Sequence, residues 1–281
     1  MARAAFGPLL AAALWGGMYV VSKWGFAVVP PLTLGFLRVA LGGIVLYAIV
    51  RANGDKGGID ADDYRGFAVL GAWVAATIAT QFLGTELTNA SQGSLLTILT
   101  PVFTVALGAA VLGERVGARK LVGIAIALAG TVVVLAGQYD LAALIAGTGG
   151  SLVGVFLLVV ASLCWAGYTV WGLPLVRRYS GLTAATYSTL AAIPMLTPLA
   201  IVELSLDPPP LAGLLAPRAI FVVLYLGLAA TAAAWVLWYR GLETLPADTQ
   251  AFSARSAIID AAVSVHPPQT KPAPTMMAQE R

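Results

Sequence analysis

"LWGGMYVV" at positions 14–21 and "CWAGYTVW" at positions 164–171 are two apolar stretches that read alike. Trp15 meets Trp165, Gly17 meets Gly167 and Val20 meets Val170, each 150 positions on. The same offset brings Leu32 and Thr33 onto Leu182 and Thr183. Farther along, "QFLGTELTNA" (81–90) is similar to "WYRGLETLPA" (238–247), which sets Gly84, Glu86 and Ala90 over Gly241, Glu243 and Ala247 at an offset of 157. Each match alone is weak. Their collinear order across three apolar runs indicates an internal duplication.

The runs themselves decide the environment. Of 281 residues, 59% are hydrophobic and 10% charged, whereas a soluble domain carries about 25% charged residues. Lipid must therefore replace water over most of the exterior. Runs long enough to cross a bilayer lie at 6–26, 31–50, 67–88, 93–112, 117–137, 151–172, 182–203 and 219–242. Their length and lack of sustained alternation predict helices rather than barrel strands. The expected fold is an all-α integral membrane bundle of eight transmembrane helices joined mostly by short loops. The N-terminal run also has signal-peptide features, with Arg3 before apolar residues, but it continues past the length of a signal core.

Basic residues set the orientation. Arg3, Arg51, Lys56, Arg65, Arg115, Arg119, Lys120, Arg177 and Arg178 all fall on one side of this plan, and Arg218 stands nearly alone on the other. Cytoplasmic loops collect Lys and Arg, so both termini are expected in the cytoplasm of a multi-pass protein of the inner (plasma) membrane. Five spans separate Trp15 from Trp165, an odd number. The two halves then run in opposite senses, as in transporters whose substrate site lies at the midplane between inverted repeats.

Other chemistries have little material. Cys164 and His266 are the single cysteine and histidine, which removes disulfides within the chain, Cys-x-x-Cys motifs and histidine-based metal or nucleophile sites. The net charge of +3 is dispersed and gives no reason to expect a nucleic-acid partner. No enzyme, metal or cofactor is expected; the partners are a small-molecule substrate and the lipid bilayer.

"AALWGGMYVVSKWGF", "PLTLGFLRVALGG", "LTPVFTVALGAAVLGERVGARKLVGIAIALAGTVVVLAG" and "SLCWAGYTVWGLPLVRR" resemble the drug/metabolite transporter superfamily in its EamA-type branch. The spacing from Pro101 and Phe103 to Gly113 and Glu114 carries much of that resemblance. It extends over about residues 5–250. The resemblance implies ten helices in two five-helix halves and export of amino acids, related small metabolites or drugs. It also implies an Arg at the "FLR" position, here Arg38.

The candidate substrate-binding residues are Trp15, Tyr19, Arg38, Gln81, Thr97, Thr100, Trp165, Tyr168, Tyr187 and Trp235. Trp15 and Tyr19 share a helix face at i, i+4, and Trp165 and Tyr168 share one at i, i+3. They either line a central cavity or fill helix interfaces. Arg38, inside a span, either binds a substrate carboxylate, snorkels, or makes a structural hydrogen bond. Gln81, Thr97 and Thr100 either bind substrate or bond across helices. Pro101 breaks the fourth span, as a gate or as a fixed kink. Lys23 is expected to snorkel at a span end and Glu114 to anchor another. Glu86 is the nearest approach to an intramembrane carboxylate, so proton coupling has no clear carrier.

"AFSARSAIIDAAVSV" (251–265), followed by Pro267, Pro268, Pro272 and Pro274, departs from the repeat. Fifteen helical residues would cover about 22 Å, short of the roughly 30 Å hydrocarbon core. The expected division is a five-helix half over 1–140, a three-helix incomplete half over 150–250, and a short interfacial helix or disordered tail over 251–281. Eight of ten helices leave open a transport-inactive protein as the alternative, with an integral-membrane enzyme a distant third. A homodimer that fills the gap is a further alternative. The orientation is testable in a Cys164→Ser background. Asp207→Cys should react with an impermeant maleimide in intact cells, and Asn53→Cys only after permeabilisation; the reverse pattern would invert the topology.

Overall fold

The computed structural model describes residues 2–53, 59–113, 116–138 and 152–244. Glu114 and the 251–281 tail lie outside these residues. The described chain is helical, with no strand. Helix α1 is Ala2–Gly25, α2 Pro31–Ala52 and α3 Tyr64–Leu87. Helix α4 is the broken rod Ala90–Leu112, and α5 is Ala118–Gln138. Helix α6 is Leu152–Tyr179 and α7 Gly181–Leu206. The last rod, α8, runs through Pro217–Leu224, a π-helical segment Tyr225–Ala233, and Ala234–Thr244.

Among the described residues, six helices are long and apolar enough to cross a membrane: Pro31–Ala52, Ala61–Leu87, Ala90–Leu112, Leu152–Tyr179, Gly181–Leu206 and Pro217–Leu242. The expected spans at 6–26 and 117–137 are helical as α1 and α5 but are not among those six. In α5 the apolar part is the shorter stretch Leu121–Gly130.

Local chemistry starts and stops these rods. Pro31 opens α2, where its missing N–H costs nothing. Asn89 caps α4, its side chain accepting from Gln92 N at 2.9 Å. Ser180 lies in the left-handed region at φ 83° and its Oγ accepts from Thr183 N at 3.3 Å. That residue turns the chain from α6 into α7 in a single step.

The start of α2 is held from elsewhere in the chain. Glu203, near the end of α7, accepts from Leu32 N at 3.0 Å, Thr33 N at 2.6 Å and Thr33 Oγ1 at 2.8 Å. A carboxylate at a helix N-terminus satisfies orphan N–H groups and the positive end of the dipole together. At the opposite end of the bundle, Arg178 pairs with Asp60 and with Asp63, the latter at 2.8 Å, and the Tyr179 hydroxyl donates to Asp63 at 2.6 Å. Arg178 is largely exposed, so these pairs orient loops more than they stabilise the fold.

The rods pair in an ordered way. Helix α3 runs along α6, α1 along α8, and α2 along α7, while α4 lies on α6. Small residues set the spacing, because lipid gives helices no hydrophobic reason to associate and close packing must do so. A Cβ at Gly71 would stand 2.7 Å from the carbonyl carbon of Ala191, joining α3 to α7. One at Gly84 would stand 2.9 Å from Gly154 O, joining α3 to α6.

These seams cannot give way, since the obstructing atoms are backbone. Gly71→Ala and Gly84→Ala should each lose about 1–3 kcal/mol of stability, the usual range for overpacking, and lower the unfolding midpoint in detergent. Gly130→Ala, with nothing within 4 Å of the new Cβ, should not lower it, since alanine is the better helix former.

Candidate functional site

A cavity of about 340 Å³ lies among α1, α2, α3, α4, α6, α7 and α8. That is at the lower end of the roughly 300–1,000 Å³ range for small-molecule sites. One wall is aromatic. Trp15 meets Trp235 edge-on with centroids 5.2 Å apart. Trp235 stacks on Trp165 at 5.9 Å, and Trp165 stacks on Tyr168 at 4.8 Å. The two tryptophans paired in the sequence, Trp15 and Trp165, are thus joined through Trp235.

A second part of the lining is polar and internally bonded. Gln81 Nε2 donates to the Tyr19 hydroxyl at 2.7 Å. Tyr19 and Thr97 Oγ1 are 2.5 Å apart, and Thr97 Oγ1 donates to Gly93 O at 2.9 Å. Because Thr97 spends its proton on Gly93, Tyr19 is the donor between the two hydroxyls. One relay therefore ties α3, α1 and α4 together beside the cavity.

The break in α4 follows from Pro101. Proline offers no N–H to the carbonyl of Thr97, and Thr100 N takes that carbonyl in 3₁₀ fashion instead. The Leu96 carbonyl, left without its α-helical donor, accepts from Ser162 Oγ of α6 at 2.9 Å. Pro101 itself is exposed and does not line the cavity, whereas Thr100 does.

Arg38 is buried, with 7% of its surface exposed. Its Nε donates to Thr231 Oγ1 at 3.0 Å, and its guanidinium carbon lies 5.7 Å from the Phe82 ring centroid. Thr231 in turn donates to Leu226 O, five residues back, at 2.8 Å. The guanidinium is thus turned inward rather than snorkelling. Lys23, by contrast, sits at a helix end within 3.5 Å of the Glu86 carboxylate.

The cavity gathers Trp15, Tyr19, Arg38, Gln81, Thr97, Thr100, Trp165, Tyr168 and Trp235. Tyr187 stands apart, its ring against Tyr47 at 6.2 Å and Phe67 at 5.6 Å. Thr231, Thr189, Thr77 and Ser162 also line the space, and sequence reading passed over them. The available signal was Thr231, the one hydroxyl in "LAATAAAW", four residues before Trp235. Among the described residues, no group of His, Cys, Asp and Glu is placed to hold a metal ion.

The hydroxyl relay should be cooperative. Tyr19→Phe and Gln81→Leu remove neighbouring links, so a double-mutant cycle on unfolding should show a coupling of about 0.5–3 kcal/mol. Strict additivity would mean that the relay is not formed.

The geometry stands beside three likenesses. An uncharacterized transporter of Archaeoglobus fulgidus is 28% identical over 231 residues, 82% of this chain and 76% of that protein. A protein of Streptantibioticus cattleyicolor named "Probable terminal-alkyne amino-acid exporter" is 32% identical over 110 residues, 39% of this chain and 34% of that one. A solved crystal structure with 21% identity shares the fold, with a TM-score of 0.61 over 85% of this chain and 78% of that chain. The EamA-like transporter family matches residues 3–136 and 152–262. With most of its length matched, the chain belongs to the EamA-like transporter family and is a multi-pass membrane protein.

Proposed function

We propose that this transporter exports small metabolites, such as amino acids or drugs, by alternating access between two inverted halves around the aromatic cavity. The cavity carries the reading: helices from both parts of the chain contribute its walls, and three tryptophans and one buried arginine line it. The halves are 1–140 and 150–250. The pairing of helices supports this division, since α1 lies along α8 as α6 lies along α3, and α2 meets α7. The two matched segments of the family also divide near 137–151.

Arg51, Arg65, Arg177, Arg178 and Arg240 belong to one end of the bundle, with Lys23 and Arg218 at the other. We take the first end as cytoplasmic and the membrane as the plasma membrane. Substrate lies against Trp15, Trp165, Tyr168 and Trp235 and meets Tyr19, Arg38, Gln81, Thr97 and Thr100. The 3₁₀ break before Pro101 lets α4 flex as a gate. Rocking the halves moves access from one side to the other.

The test is efflux from proteoliposomes loaded with amino acids and with aromatic or apolar drugs. At least one compound should leave faster than from protein-free vesicles. Trp165→Ala and Trp235→Ala should each slow that efflux about tenfold, the kinetic equivalent of roughly 1.4 kcal/mol. Folded protein that moves no compound of the panel would overturn the reading.

A further inference from the structure

The polarity of the cavity is one-sided. Arg38 is buried, its Nε is engaged by Thr231, and its Nη1 is buried without a hydrogen-bond partner among the described residues. Among the described residues, no Asp or Glu lines the cavity. The described carboxylates with printed partners are occupied at the ends of the bundle: Asp60 and Asp63 by Arg178, Glu86 by Lys23, and Glu203 by the start of α2. A charged side chain inside a span is costly unless it is paired or hydrated. Among the described residues, Arg38 has no carboxylate partner, and its guanidinium is turned inward rather than snorkelling.

We propose that the substrate is an organic monoanion, a carboxylate on a flat apolar body, that pairs with Arg38 and lies on the Trp165–Trp235 wall. This rests on the cavity being the transport site. Arginine presents a planar fork that matches a carboxylate, and one guanidinium balances one negative charge. A dianion would leave a charge uncompensated in a low-dielectric space. An ammonium group would find aromatic faces but no counter-charge, and would be repelled by Arg38. Within the range proposed above, unpaired charge thereby discriminates against cations and ranks zwitterionic amino acids below simple organic acids, a repulsive element of specificity. Thr100, which also lines the cavity, has its Oγ1 buried without a partner among the described residues.

The test uses four compounds of one shape: 3-phenylpropionate, 3-phenylpropanamide, phenylalanine and phenethylamine. Binding to the purified full chain is read by quenching of tryptophan fluorescence from the cavity wall. The acid should bind at least about tenfold more tightly than the amide, as expected for a charged hydrogen bond, with phenylalanine weaker than the acid and phenethylamine weakest. Arg38→Gln should bring the acid-to-amide ratio to near one while amide binding persists, and Arg38→Lys should keep part of the preference. The wild-type series decides even if Arg38→Gln does not fold. Equal binding of acid and amide, or tighter binding of phenylalanine or phenethylamine than of the acid, overturns the proposal. If compounds of the wider efflux panel still move in that case, only the charge reading falls. Absence of both binding and efflux removes the transport reading with it.

Discussion

The structure depends on one constraint: inside a bilayer, each polar group must find its partner within the protein. Three local features are answers to it. The α4 break leaves the Leu96 carbonyl without a helical donor, and Ser162 supplies one. The start of α2 exposes N–H groups, and Glu203 reaches across from α7 to accept two of them. Thr97 donates back to Gly93, which fixes the direction of the Tyr19 relay. The first two solutions join separate helices directly and the third orients the Tyr19 bond that does, so satisfying polar groups and assembling the bundle go together. Arg38 is one place where the constraint is met only in part, and it lies at the cavity.

Close packing and open space are complementary here. The seams at Gly71 and Gly84 draw α3 against α7 and α6 until a single added carbon would collide with backbone. Such seams fix helix axes without bulky side chains. The large rings are then free to gather elsewhere, in the row from Trp15 through Trp235 and Trp165 to Tyr168. A row of rings is stiff, since each has few rotamers and its neighbours restrict those. Rigid walls held apart by tight seams are what keeps a cavity open between helices.

Periodicity in the sequence carried the rods well, because lipid demands long apolar runs and few residues interrupt them. It carried the aromatic wall too, since Trp15 and Trp165 stand at matching places in two similar stretches. It missed Thr231 although that residue stands four before Trp235, since one hydroxyl in an alanine-rich run carries little weight by itself. Residues 225–233 are π-helical, and the bond from Thr231 to Leu226 spans five residues rather than four, a geometry that a 3.6-residue period does not announce. Tyr187 shows the limit from the other direction: a plausible aromatic on an apolar helix pairs with Phe67 and Tyr47, and sequence contains no neighbour list to reveal it. The partner of Arg38 was illegible for the same reason, lying 193 positions away.

On the proposed repeat, the 150-residue offset that joins Trp15 to Trp165 carries Arg38 onto Ser188. Ser188 is fully buried and donates to Ala184 O at 2.7 Å, with its oxygen 3.4 Å from the Tyr168 hydroxyl. One half therefore offers a guanidinium where the other offers a satisfied hydroxyl. Two arginines facing each other across a small cavity would repel at low dielectric and need two counter-ions. Serine at the second position avoids that cost. On the proposed reading, a duplicated scaffold supplies matched helices for movement between two states, while divergence at this pair of positions leaves one guanidinium rather than two to select among substrates.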